Sequence, residues 1–375
     1  MNSELRKDES KIDVGANAAS SRTLPGWVYT DQATFERERE AIHYRSWHYA
    51  GTTQELVKPG DYLTARILDQ NIIVIRGKDA VLRGFHNVCQ HRAHELLRGR
   101  GRVHMITCPY HAWTYGIDGQ FNGARGTAQL PDFSNAAFNL KAVRIEVFAR
   151  KLVFFNLDPN AVPLADQAAD LEADLLAEVP SFEQLNVAPG IATADIQANW
   201  KVTVDNYLEC YHCRTAHPAL ATLVDLRSFR VDVHPYWMSH KARMGRPDNA
   251  AYPVRPDAAN TRTLWWWLWP TTTFNVLPGA AEISVFSFLP TSVGSTLQWG
   301  QRFSLPGDAV DAQREQYRNG PLTEEDVALV ESVQRGLHSR GYTSGRFIDD
   351  GEGREMSERA THQFHRLVAA ALGIE

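Results

Sequence analysis

Two short cysteine–histidine knuckles constrain this chain more than any other feature. Residues 87–95 read NVCQHRAHE and residues 107–119 read TCPYHAWTYGIDG, so Cys89 and His91 are followed, after sixteen intervening residues, by Cys108 and His111. Each knuckle belongs to a loop, with Pro109 and Gly119 as turn formers. The flanking sequence alternates: Leu63, Ala65 and Ile67, then Ile72 and Val74, then Val81 and Phe85, with Asp69-Gln70-Asn71 and Gly77-Lys78-Asp79 as turns. That pattern predicts a small antiparallel β domain, running on through IEVFARKLVFFNLDP to about Pro159.

Thiolates and imidazoles together suit zinc or an iron–sulfur cluster. Zinc fingers usually pair Cys with Cys and His with His, whereas each knuckle here supplies one of each. That division suits a Rieske 2Fe–2S centre, in which two Cys hold one iron and two His the other. His86, His94 and His104 fall outside the pattern and are read as surface or supporting residues.

A second constellation lies in ANWKVTVDNYLECYHCRTAHPAL. His212 and His217 are about 140° apart on an ideal helix, so a helix end or bulge between them is needed if both face one point; Pro218 favours an end. Asp205, Glu209 and His212 fall within about 60° of one another, and a buried stripe of that kind is costly without a task. Two His and one carboxylate make the facial ligand set of non-haem Fe(II) oxygenases. Cys210 and Cys213 form a Cys-x-x-Cys here, but a thioredoxin-like pair needs a βαβ context, so they are expected to pack in the helix.

CPYHAWTYGIDG and NVCQHRAHEL resemble the two cluster loops of Rieske ring-hydroxylating oxygenase α subunits, and the resemblance covers about residues 24–372. Members commonly have Gly where this chain has Ala112, and Arg-Gly where it has Arg92-Ala93. The resemblance implies a 2Fe–2S cluster on Cys89, His91, Cys108 and His111, and a mononuclear Fe(II) on His212, His217 and a downstream Asp. Asp326 in TEEDVALVESVQRGL is the best match, with Glu324 and Glu325 as rivals. It makes Glu209 the electron bridge, beside Asp205 in the catalytic set. It also implies O2-dependent mono- or dioxygenation, a separate NAD(P)H-dependent reductase and a head-to-tail homotrimer. No flavin or nicotinamide fingerprint occurs in the chain itself.

The motif style and the ending GRFIDDGEGREMSE look like those of glycine betaine, carnitine and proline betaine oxygenases. This implies oxidative N-demethylation of a quaternary ammonium compound; hydroxylation or O-demethylation of an aromatic acid is the alternative. In TLWWWLW, strand alternation puts Trp265, Trp267 and Trp269 on one face, as core or as an aromatic cage for such a cation.

The expected fold is α+β: a flexible tail (1–22), an N-terminal helix of the catalytic domain (23–44) capped at Asp31 and reaching about Trp47, a Rieske domain (45–159), and a catalytic domain (160–375) with an antiparallel sheet flanked by helices. The net charge of −5 argues against nucleic-acid binding. No apolar run spans a bilayer, and the polar N-terminus lacks a signal core, so a cytoplasmic location and no membrane partner are expected. Four cysteines in 375 residues point to a reduced compartment with metal chemistry rather than a disulfide framework. Two other readings stay open: a Rieske electron carrier, against which the second His pair argues, and a zinc-stabilised binding module.

Overall fold

A computed structural model describes residues 12–190, 192–307 and 311–374. Tyr44–Asp174 forms one compact unit, and the described residues on either side of it form the other. The expected boundary at 159 therefore moves to 174. The reason is local: the backbone N–H of Leu164 donates to Glu146 at 2.8 Å and that of Ala149 to Glu172 at 3.1 Å, which fastens residues 160–174 to the β unit.

Before the β unit come two short helices, α1 (Trp27–Thr30) and α2 (Gln32–Glu38). Asp31 caps α2 by accepting from Thr34 N–H at 2.9 Å, as expected. The helix then widens into a turn at Arg39–His43 and stops short of Trp47, which precedes the first strand. Of the expected tail, residues 1–11 lie outside the described residues. Residues 12–22 are not a free tail: Ser21 and Ala18 are buried, Arg22 pairs with Arg346, and His362 Nε2 lies 2.9 Å from Gly15 O.

The β unit contains β1 (His48–Thr52), β2 (Asp61–Ile67), β3 (Gln70–Arg76), β4 (Leu82–His86), β5 (Arg100–Arg102), β6 (Ile106–Thr107), β7 (Thr114–Tyr115), β8 (Phe121–Gly123), β9 (Ala142–Phe148) and β10 (Leu152–Asn156). They form a seven-stranded antiparallel sheet in the order β1-β10-β9-β4-β3-β2-β5 and a small sheet β6-β7-β8. Ile72, Ile73, Val74 and Ile75 are all fully buried, so β3 is covered on both faces, a setting that favours branched side chains. Gly119, at φ +84°, sits against Phe85, whose ring carbon would lie 2.3 Å from any Cβ placed there. Helices α3 (Leu164–Gln167) and α4 (Leu171–Glu178) follow.

The catalytic unit is built on an eight-stranded antiparallel sheet. Its strands are β11 (Asn186–Val187), β12 (Ala192–Ile196), β13 (Val224–Val233), β14 (Trp237–Met244), β15 (Arg262–Leu268), β16 (Thr272–Val276), β17 (Glu282–Ser292) and β18 (Ser295–Ser304). The order is β11-β18-β17-β16-β15-β14-β13, with β12 also paired to β18. Its helices are α5 (Trp200–Tyr207), α6 (Cys213–Ala216), α7 (Leu220–Leu223), α8 (Ala312–Tyr317), α9 (Thr323–Leu337) and α10 (Arg359–Leu372). Helix α5 packs on β17 and β18 and against α9 and α10. Lys201 and Glu38, both with fully buried side chains, are ion-paired at 2.5 Å beneath it. No helix among the described residues is long and apolar enough to cross a membrane.

Candidate iron centres

In the β unit, β4 leads into the first knuckle and the β6–β7 hairpin carries the second. The two loops fold alike. Cys89 N–H donates to His94 O at 2.8 Å and Ala93 N–H to Cys89 O at 3.0 Å; Cys108 N–H donates to Trp113 O at 2.8 Å and Ala112 N–H to Cys108 O at 3.0 Å. In each loop the alanine is left-handed, at φ +58° and +55°. The thiols of Cys89 and Cys108 are free and buried, within an apolar cluster that includes Ile106, Trp113, Tyr115 and Phe121. His91 and His111 are exposed, their ring centroids 4.7 Å apart, and His91 stacks on Trp113 at 4.7 Å. Tyr115 OH accepts from Gln90 N–H at 3.0 Å and lies 3.3 Å from Cys89 Sγ, so its own proton is free for the sulfur. Burial pushes the Cys108 thiol above its ordinary value. Buried sulfurs and outward imidazoles from matching loops fit a 2Fe–2S cluster with one iron facing each kind of ligand.

In the catalytic unit, α5 ends at Tyr207, so Asp205, Glu209 and His212 do not share a helical face as the spacing suggested. Past the break the chain turns through Glu209–His212 into the short α6, and His217 sits at its end just before Pro218. The two imidazoles thereby converge: His212 Nε2 and His217 Nε2 are 3.2 Å apart. Asp326, in the first turn of α9, places Oδ1 3.0 Å from His217 Nε2 and 3.7 Å from His212 Nε2. Among the described residues these three form the one group with metal-ligand spacing, their ligand atoms all within 4.8 Å. Each imidazole is held from behind by an acid. Glu209 bonds His212 Nδ1 and also accepts from His212 N–H at 3.2 Å. Glu325 accepts from His217 Nδ1 at 2.7 Å. Burial opposes charging His212, but Asp326 and Glu209 outweigh it and lift the imidazole to about 10. Such a pocket holds positive charge, and two imidazole nitrogens with one carboxylate oxygen fit iron(II). Of the rival acids, Glu325 holds His217 from its far side and Glu324 is exposed.

Asp205 turns elsewhere. Tyr29 OH donates to its Oδ2 at 2.7 Å, and His365 Nε2 lies 2.8 Å from its Oδ1. Leu24 N–H donates to His365 Nδ1 at 3.0 Å, which leaves Nε2 as the protonated nitrogen facing Asp205. The carboxylate thus ties the N-terminal segment to α10. Cys210 and Cys213 are joined as a disulfide. The expectation that the pair packs in the helix is corrected: it lies beyond the end of α5 at Tyr207, where the chain turns back on itself.

A cavity of about 330 Å3 opens beside the His212–His217–Asp326 group. Trp265, Tyr207, Phe286 and Phe288 line it, but Trp267 and Trp269 do not. Trp267 and Trp269 pack on Phe364 of α10, with ring centroids 5.6 and 6.2 Å away. The expected cage of three tryptophans is therefore corrected. Alternation put the three on one face of the sheet, but helix α10 covers part of that face and leaves only Trp265 to the cavity. Tyr207, Phe286 and Phe288 were missed; the i, i+2 spacing of Glu282, Ser284, Phe286 and Phe288 in β17 was the available signal.

A pair of matching cysteine–histidine loops and a two-histidine, one-carboxylate group with metal-ligand spacing fit an oxygenase component of the Rieske non-haem iron class, which carries a 2Fe–2S cluster and a mononuclear iron and is served by a separate reductase. The comparisons agree. Residues 46–134 match the Rieske [2Fe-2S] domain, and residues 183–374 match the ring hydroxylating alpha subunit catalytic domain. The chain belongs to that family. It is 38% identical over 359 residues to a carnitine monooxygenase oxygenase subunit of Escherichia coli K12, covering 94% of this chain and 95% of that one. It is 36% identical over 201 residues to a glycine betaine monooxygenase oxygenase subunit of Pseudomonas aeruginosa PAO1, covering 53% of this chain and 46% of that one. A solved quaternary ammonium Rieske monooxygenase, described for carnitine oxidation and inter-subunit electron transfer, superposes with a TM-score of 0.88 at 35% identity, covering 97% of this chain and 98% of that one.

Proposed function

We propose that the chain hydroxylates a carbon bonded to the nitrogen of a quaternary ammonium compound such as a betaine or carnitine. The observation that carries this reading is the aromatic wall of Tyr207, Trp265, Phe286 and Phe288 in the cavity beside His212, His217 and Asp326. A quaternary ammonium cannot shed its charge by deprotonation, and its methyl groups cannot donate strong hydrogen bonds. Aromatic faces suit it, each contributing roughly 0.5–2 kcal/mol. The relatives named for carnitine and glycine betaine support the same class.

Cys89, Cys108, His91 and His111 would hold the cluster, and His212, His217 and Asp326 the iron. When bound, the iron supplies O2 activation and the cluster supplies electrons for it. The balance is a C–H bond, O2, two electrons and two protons giving C–OH and water. On an N-methyl group, the hydroxyl then loses its proton, the C–N bond breaks with its pair going to nitrogen, and tertiary amine and formaldehyde leave. The chain's own part is to hold the cation on the aromatic wall and to fix both imidazoles through Glu209 and Glu325. In a head-to-tail homotrimer, Glu209 would also reach a cluster histidine of the neighbouring subunit.

The test is O2 uptake, with formaldehyde and carbonyl detection, by the holoenzyme with an NAD(P)H-dependent reductase. Glycine betaine, carnitine and proline betaine should stimulate uptake coupled to product. Activity on benzoate or phenoxy acids alone would overturn the reading. Glu209→Gln should keep both metals and lose coupling between them.

A further inference from the structure

The end of α5 decides where His212 points. In a helix that ran on, Leu208 O would accept from His212 N–H, four residues later. Here the helical bonds stop with Leu208 N–H to Val204 O at 3.0 Å, and His212 N–H donates to Glu209 Oε2 at 3.2 Å instead. Leu208 is fully buried, and a carbonyl shut away from water needs a donor within the protein. That donor is His240, whose Nε2 lies 3.1 Å from Leu208 O. The imidazole thus stands in for the helical N–H and leaves His212 N–H to Glu209.

His240 lies in β14, directly opposite Trp265 of β15. Opposed residues share a face of the sheet, and Trp265 shows that this face is the one turned toward the cavity. The His240 side chain is buried and stacks on Phe229, with ring centroids 5.7 Å apart. A carbonyl can only accept, so Nε2 carries the proton. Burial pushes the imidazole down to about 4, which keeps it uncharged at neutral pH. Nδ1 has no hydrogen-bond partner among the described residues. A phenyl ring would fill the same space without stranding an acceptor; what it cannot supply is the N–H. Tyr207, one residue before Leu208, places its hydroxyl 3.1 Å from Trp266 O and 2.8 Å from Asn275 Oδ1. The disulfide of Cys210 and Cys213 closes the turn on itself, whereas His240 and Tyr207 fasten its entry to the sheet.

We infer that His240 is a positioning residue for the iron site: its N–H ends α5 at Leu208 and so sets the turn that carries Glu209 and His212 toward His217 and Asp326. This rests on the reading that His212, His217 and Asp326 hold the iron, and it assigns a part to a side chain outside both that group and the cavity lining. Without the imidazole, the donor within the chain's own reach of Leu208 O is His212 N–H, and taking it winds α5 onward. On a continuous helix His212 and His217 point about 140° apart. The winding that satisfies the carbonyl therefore disperses the ligand set and draws His212 N–H away from Glu209.

Three variants of the holoenzyme test this, through iron retained against a graded chelator and through hydrogen exchange of residues 208–213, which reads the turn without reference to iron. His240→Phe keeps a ring and loses the donor. It should lower iron affinity roughly tenfold and quicken exchange across 208–213. His240→Gln can place an amide N–H where Nε2 stands and should restore wild-type affinity and exchange. His240→Asn carries the same amide on a shorter side chain that falls short of Leu208 O, and should lose affinity as His240→Phe does. All three should keep the cluster absorbance of wild type. Equal losses in all three variants, or full affinity in His240→Phe, overturns the inference, since the donor would then not be what matters. His212→Ala separates this from the ligand assignment. If that variant keeps its iron, the assignment falls by itself, and the part given to His240 stands if exchange of 208–213 quickens in His240→Phe and is restored in His240→Gln, and falls if it does not.

Discussion

Glu325 grips the far side of His217: its Oε2 accepts from Nδ1 at 2.7 Å while the same ring presents Nε2 to Asp326 at 3.0 Å. Adjacent residues of one helical turn thus play different parts, one beside the proposed iron position and one behind a proposed ligand. A carboxylate behind a ligating imidazole fixes its tautomer and raises its basicity, and its loss typically costs 10–100-fold in metal affinity or activity. Glu325→Ala should lower iron affinity by about that factor, whereas Asp326→Ala should abolish iron retention and turnover. Iron per chain after dialysis against a graded chelator measures both. The cluster spectrum should be unchanged, since the two sites share no ligand.

Ala93 and Ala112 occupy matching places in the two cluster loops, and both carry a Cβ at positive φ. A left-handed alanine costs about 1–2 kcal/mol relative to the right-handed form, a cost glycine avoids at the expense of unfolded-state entropy. Ala112→Gly and Ala93→Gly should therefore each raise the apparent Tm of the holoprotein modestly. The cluster absorbance should be retained, and together the changes should add, because the loops make separate turns. Thermal scans followed at the cluster absorbance give the answer; a fall in Tm would mean that contacts of the methyl groups outweigh the backbone strain.

The Rieske domain was legible because its signature is local: four candidate ligands in two loops, each closed by hydrogen bonds spanning five residues or fewer. The strands around them were legible from alternation and turn residues. The meeting of Asp326 with two histidines more than a hundred residues earlier was not legible from spacing; it came from family resemblance. Two features stayed hidden. The end of α5 at Tyr207 has no Gly or Pro beside it. Trp265 and Trp267 obey the same strand alternation, yet one lines a cavity and the other meets Phe364 of α10, a distinction set by contacts about a hundred residues away.

That distinction can be measured. Trp265→Leu removes one aromatic face from the cavity and should weaken binding of a quaternary ammonium by about 2- to 30-fold, the equivalent of roughly 0.5–2 kcal/mol, with little change in stability. Trp267→Ala empties a fully buried site against Phe364. It should lower unfolding free energy by about 3–5 kcal/mol while the folded fraction binds substrate as wild type does. Paired denaturation and ligand titrations separate the two. Equal affinity losses in both variants would place the cation on a broader aromatic surface than Tyr207, Trp265, Phe286 and Phe288.

Glu358 gives the protein a pH dependence of its own. Burial, together with the charges of Glu209 and Asp205, pushes its carboxyl to about 7, even though Ile348 N–H donates to Oε2 at 2.5 Å. In the unfolded chain the same group titrates near its ordinary value of 4.5. Between those values the folded state binds more protons than the unfolded one, so stability must fall as pH rises through that window. The contribution is fully present below about 4.5 and lost above about 7. Glu358→Gln keeps an oxygen to accept from Ile348 N–H and removes the titration. The variant should match wild type near pH 4.5 and exceed it in apparent Tm at pH 8, with the gap opening between. Parallel Tm curves for the two proteins from pH 4.5 to 8 would show that Glu358 is ionised throughout and that Glu209 and Asp205 exert no hold on it.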